Sequence, residues 1–201
     1  MLTVAIASEF HAYDGELYRY LLERVLGTPV QAWKSEIEFN GCKHVRKQAG
    51  LYLNAAAQQG VRHALVAIDN DGGSTHGLPH HPSHDSAQEC ANERGCRVCW
   101  LHSTIPTSWR EDPYRSCVVV PVQTLETWLL IAKGHAFTEP SPEQRYHRPV
   151  LKKDCFGKPL PSSRDQKRMA LDCLQHPEAI KRLSARPSFQ AFVDQVNAWK
   201  G

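Results

Sequence analysis

The run Ala64-Leu65-Val66-Ala67-Ile68 is apolar at every position and ends abruptly in Asp69-Asn70-Asp71-Gly72-Gly73. A continuous apolar run this short, closed by turn residues, reads as a strand buried on both faces, and such strands belong to parallel sheets. A sheet of that kind needs helices on its faces. The strand end also carries an acidic pair, so one segment constrains both the fold and the chemistry.

The rest of the chain supplies the helices and further strands. Residues 2–7 read as a first strand. Asp14 is placed to cap a helix bearing Leu17, Tyr20, Leu21 and Val25, which Gly27 stops. Residues 28–41 read as irregular or as a short strand. Val45, Ala49, Tyr52, Leu53 and Ala56 form a second stripe at helical spacing, closed by Gly60. His63–Ile68 is the next strand, and residues 70–84 form a loop rich in Gly, Pro and His. Ser83 or Asp85 then caps a helix carrying Ala87, Cys90 and Ala91 that stops at Gly95. Arg97–Leu101 reads as a third strand and Cys117–Val122 as a fourth. A helix follows with Leu125, Trp128, Leu129 and Ala132 on one face. This alternation predicts an α/β fold, a mostly parallel sheet of four to five strands flanked by helices, over residues 1–135. Residues 136–163 read as loop. Helices near 164–175 and 188–200, the second with Phe189, Phe192, Val193, Val196 and Trp199 on one face, make residues 136–201 a basic, mostly helical C-terminal appendage packed on that domain.

Composition excludes some classes. A chain of 201 residues fits one domain, or one with an appendage. No apolar run approaches the roughly 18 residues that span a bilayer. The apolar start lacks a basic leader and reads as a strand rather than a signal peptide. Seven scattered cysteines suit reduced thiols in a cytoplasmic protein better than a disulfide framework. The net charge of +3 is uneven: residues 143–186 hold 11 Lys/Arg against 5 Asp/Glu. A basic segment beside an acidic site suits a phosphate-bearing partner; a solvated helical surface would look the same.

Ligands in parallel α/β folds bind at the carboxyl ends of strands. Asp69 and Asp71, two apart on an extended segment, point to the same side. They repel each other unless a cation neutralises them, and hard carboxylate oxygens suit Mg²⁺ or Mn²⁺. Gly72 and Gly73 let the backbone turn and let a phosphate come close. The alternative is an acidic loop that caps the next helix. Glu9, just after the first strand, is placed to join the metal or to act as general base on water; otherwise it is a surface residue. Glu126, in the first turn of a helix after the fourth strand, is a further ligand candidate or complements the helix dipole.

At these residues the chain resembles the Toprim domain of topoisomerases, primases, small ribonucleases and OLD-family nucleases. Glu9 matches the glutamate after that family's first strand, and Asp69 with Asp71 its Asp-x-Asp pair. Pro121 to Leu130 is similar to the acidic-Trp helix of short Toprim-like proteins, some of which are encoded beside ABC-type ATPases in antiphage defence systems. The tail around Ser188–Phe192 is similar to theirs. Where the family often has glycine after the glutamate, this chain has Phe10. The resemblance implies a Toprim-like fold, with Glu9, Asp69, Asp71 and Glu126 as catalytic residues and Mg²⁺ or Mn²⁺ on the first three. The implied activity is hydrolysis of DNA or RNA phosphodiesters by a metal-bound water. Lys152, Lys153 and Lys158 are candidates to meet the phosphate.

His76, His80, His81 and His84 crowd one loop, His76 being nearest the acidic pair in sequence. Cys96, Cys99 and His102 have the residue types of a Zn²⁺ site, but on a strand positions three apart face opposite sides, which counts against it. Trp109 with Arg110, and Tyr114 with Arg115, are pairs suited to stacking bases and gripping phosphates, or to docking a protein. The leading expectation is a Mg²⁺-dependent nuclease, an effector with an ATPase partner or a homo-oligomer. The rivals are a phosphatase using an aspartyl nucleophile and a non-catalytic zinc- or protein-binding scaffold.

Overall fold

Four of the apolar segments form one sheet in the computed structural model, which describes residues 1–69, 97–121, 124–135 and 148–200. The strands are β1 (Leu2–Ala7), β2 (Val30–Ala32), β3 (His63–Ala67) and β4 (Arg115–Val119). They lie in the order β2-β1-β3-β4 and every pairing is parallel. Leu2 pairs with Val30, Ala7 with Val66 and Ala67 with Val119. The α/β class with a parallel sheet and C-terminal helices is therefore as the apolar pattern predicts. No helix among the described residues is long and apolar enough to cross a membrane.

The chain divides into two compact units, one of Met1–Ile68, Val98–Val119 and Phe192–Gly201, the other of Asp69–Arg97 and Val120–Ala191. The first holds the sheet. Its helices are α1 (Glu16–Leu26), α2 (Cys42–Gln58) and most of α3 (Arg97–Thr104), with the end of the last helix. All five residues of the predicted α2 stripe, Val45 to Ala56, are buried. Helix α1 ends at Gly27 in the left-handed region, φ +70°, which a side chain rarely adopts. Gly50 of α2 lets α3 approach: a Cβ there would lie 3.3 Å from the Thr104 carbonyl oxygen.

Two side chains complete the sheet where strands run out. β2 pairs only with Leu2 to Val4, which leaves Ile6 of β1 without a neighbour on that side. There the buried Tyr52 hydroxyl accepts from the Ile6 N–H (3.2 Å) and donates to its carbonyl (3.1 Å). At the opposite edge the Gln195 carboxamide accepts from the Val118 N–H (2.9 Å) and donates to its carbonyl (3.0 Å). Both satisfy main-chain groups that would otherwise stand unpaired, and the second blunts an open edge.

Several sequence readings are corrected. Asp14 does not cap α1: it sits inside a π-type turn, His11–Gly15, and its Oδ2 accepts from the Phe10 N–H at 3.1 Å. Residues 97–101 are not a third strand but the start of helix α3. Their Val-Cys-Trp-Leu run looks β-like, yet Leu101 is buried while Val98, Cys99 and Trp100 are half-buried, the one-sided exposure of a helix lying on a core. The segment between α3 and β4 contains a 3₁₀ turn, Thr107–Arg110, whose Trp109 is fully buried against Tyr114, with ring centroids 4.8 Å apart.

The second unit contains α4 (Leu125–Ala132), α5 (Arg148–Phe156), α6 (Ser163–Gln175), α7 (Ala179–Ser184) and the start of α8 (Pro187–Asn197). Helix α5 falls within the segment read as loop. Its Pro149 sits at the second helical position, where the absent N–H costs nothing. Helix α4 is not one-faced as predicted: all eight of its residues are buried. A helix buried all round needs its ends satisfied from within the protein. At its C-terminal end the Arg182 guanidinium donates to the Ala132 carbonyl (2.9 Å) and the Cys173 thiol to that of Leu129 (3.4 Å). The Trp128 indole N–H donates to Ser188 Oγ at 2.8 Å, and its ring meets Phe189 edge-on at 5.1 Å.

Candidate functional site

Asp69 lies two residues past the end of β3 and is 7% exposed. Its Oδ1 accepts from the Leu125 N–H, 3.1 Å away, at the first position of α4. A carboxylate at a helix N-terminus meets both an unpaired donor and the positive end of the dipole. The assigned N-cap residue, Thr124, has extended dihedrals but makes no capping bond. Asp69 does that work from a distant part of the sequence.

Glu126, at the second position of α4, is 2% exposed. Its Oε1 lies 3.7 Å from Nζ of Lys152 on α5. The pair joins a predicted ligand to a predicted phosphate-binding lysine and neutralises a carboxylate that would be costly to bury alone. Lys153 and Lys158 are exposed.

Two groups here had no sequence signal as site residues. The hydroxyls of Thr124 and Thr127, both buried, have no hydrogen-bond partner among the described residues. Three apart at the start of a helix, they share one side of its first turn. Orphaned buried oxygens are costly. Hydroxyl oxygens, like the Asp69 carboxylate, are hard donors of the class that Mg²⁺ or Mn²⁺ takes. Among the described residues, no three His, Cys, Asp or Glu side chains are grouped to hold a metal ion; Asp71 and His76 lie outside them.

In the sheet-bearing unit the chain leaves β1 on one side to form β2 and returns on the other to form β3, so the strand order reverses between β1 and β3. Open parallel sheets bind ligands outside the carboxyl ends of strands at such a reversal. Glu9 follows β1 by two residues and is 6% exposed. Its carbonyl accepts from the Gly41 N–H (2.9 Å), just before α2. The neighbouring Ser8 hydroxyl is buried with no partner among the described residues.

Of the two aromatic–arginine pairs, the first cannot stack a base through its ring. Trp109 is fully buried. Arg110 donates to the His102 and Ile105 carbonyls, and Arg115 pairs with Asp112 and donates to the Tyr114 carbonyl. Both arginines brace their own segment. Cys99 and His102 stand three apart on a helix, where such positions share a face, so the strand-based objection to zinc lapses; Cys96 lies outside the described residues.

Three of the described thiols are held in their protonated form. Burial pushes Cys155 up to about 12, against the opposing pull of Lys133. Burial likewise raises Cys117 and Cys173. Such thiols stay protonated and unreactive at neutral pH. Comparison of the chain with protein-family models, curated proteins and solved structures finds no match.

Proposed function

We propose that this chain is a hydrolase of nucleic-acid phosphodiesters that uses Mg²⁺ or Mn²⁺. One observation carries the reading: a buried carboxylate, Asp69, stands two residues past β3 with one oxygen pinned by the first N–H of α4. Pinning fixes the carboxylate's orientation before any ligand arrives, and preorganisation of this kind is what a catalytic metal site requires.

Asp69 and Asp71 are the ligands in this reading, with Glu9 as a further ligand or the base that takes a proton from water. These residues would hold the metal, which would supply Lewis-acid chemistry toward the phosphate and a water of lowered pKa. Glu126 is held by Lys152, and that pair tunes the charge beside the first turn of α4. The resemblance to short Toprim proteins extends the proposal to an effector working with an ABC-type ATPase.

Incubating the protein with tRNA, single-stranded DNA and duplex DNA, each with Mg²⁺, Mn²⁺ or EDTA, tests this reading. Cleavage that needs metal and disappears in Asp71→Asn is the expected result. A well-folded Asp71→Asn protein that cuts as fast as wild type overturns it.

A further inference from the structure

We infer that the outer face of α2, with Trp100 of α3 beside it, is a binding surface for single-stranded nucleic acid that leads a strand toward the Glu9 end of β1. The direction of the strand rests on the hydrolase reading above; the surface itself does not.

The first turns of α2 carry Lys43, His44, Arg46 and Lys47, all exposed, and the whole helix contains no Asp or Glu. Positions 43, 46 and 47 share one face. Among the described residues none of these three cations forms an ion pair. Lys43 also lies in the first turn, where the macrodipole disfavours positive charge. Like charges gathered on one face do not stabilise the helix, and a polyanion bound along the face relieves both repulsions.

An aromatic group selects which polyanion. The Arg46 guanidinium lies over the Trp100 ring, 4.9 Å from its centroid, and Trp100 is half-buried at the surface. An arginine stacked on an indole keeps its N–H donors for phosphate, and both planes accept an unpaired base. An acidic peptide has no use for such a platform, and the bases of a duplex are not available to it. The cationic row begins beside Glu9: the Gly41 N–H donates to the Glu9 carbonyl, and the His44 N–H donates to that of Gly41 at 3.0 Å.

The test is fluorescence anisotropy of a labelled oligothymidylate with the full chain in EDTA, over a range of salt. Lys43→Ala/Arg46→Ala/Lys47→Ala should bind at least about tenfold more weakly and flatten the salt slope by about 2, at some 0.7 for each phosphate the variant no longer neutralises. Trp100→Ala should weaken binding about tenfold with the salt slope unchanged, and Trp100→Phe should restore most of it. Circular dichroism checks each fold. Wild-type affinity in the triple variant, or in both Trp100 variants, overturns the inference, as does equal competition by polyglutamate. Metal-dependent cleavage that survives such a result would leave the hydrolase reading standing.

Discussion

Asp69 Oδ1 accepts the Leu125 main-chain N–H at 3.1 Å, so the leading metal-ligand candidate is also the cap of a fully buried helix. The two roles separate by substitution. Asp69→Asn keeps an oxygen to accept the bond and should change stability by less than about 1 kcal/mol. Asp69→Ala removes the acceptor, leaves a buried N–H unsatisfied, and should cost about 2 kcal/mol in urea unfolding. Equal losses in the two variants would contradict the capping role.

Lys152 and Glu126 form a second coupled pair, 3.7 Å apart, with the glutamate side chain only 3% exposed and the lysine 29%. Lys152→Met should cost about 1–2 kcal/mol, a figure discounted for the lysine's exposure, because it strands a buried carboxylate. Lys152→Met/Glu126→Gln should recover much of that. A double mutant no more stable than Lys152→Met would show that the pair is not coupled.

The sheet edges give a prediction about the fold alone. Gln195→Ala removes both bonds to Val118, and Tyr52→Phe both bonds to Ile6. Tyr52→Phe leaves buried main-chain groups unpaired and should cost about 2 kcal/mol. Gln195→Ala, at an edge water can reach, should cost about 1 kcal/mol. Chemical denaturation measures both, and the reverse ranking would contradict this assignment of the two edges.

His63 makes stability depend on pH. Partial burial, and then the Arg115 charge, hold its imidazole below the usual value of about 6.5. Between the lowered folded value and the unfolded value the unfolded chain binds more protons. The stability His63 contributes is therefore complete above pH ~6.5 and is lost as pH falls through the folded value. The thermal midpoint of wild type should drop more steeply below pH ~6.5 than that of His63→Gln. Parallel curves would show that His63 does not titrate this way.

The strands and α2 were legible because uninterrupted apolar runs and a clean helical stripe leave few alternatives. Residues 97–101 misled because Val98, Cys99 and Trp100 suit a strand as well as the half-covered face of a helix, and so short a segment has no periodicity to decide. Helix α4 misled differently. Its polar residues, Glu126 and Thr127, look like an exposed face, and only tertiary partners such as Lys152 allow their burial. Asp69 was legible as a candidate from its place after a strand. Its bond to Leu125 joins residues 56 apart, a relationship that no local pattern encodes. Trp109 showed the limit of adjacency: next to Arg110 in sequence, it points into the core.

The most direct test of the central claim is calorimetric titration of Mn²⁺ into wild type and Asp69→Asn, with a urea midpoint for each. Wild type should bind saturably, and Asp69→Asn should lose at least about tenfold in affinity at nearly unchanged stability. Equal Mn²⁺ affinity in two equally stable proteins would make Asp69 a helix cap and nothing more.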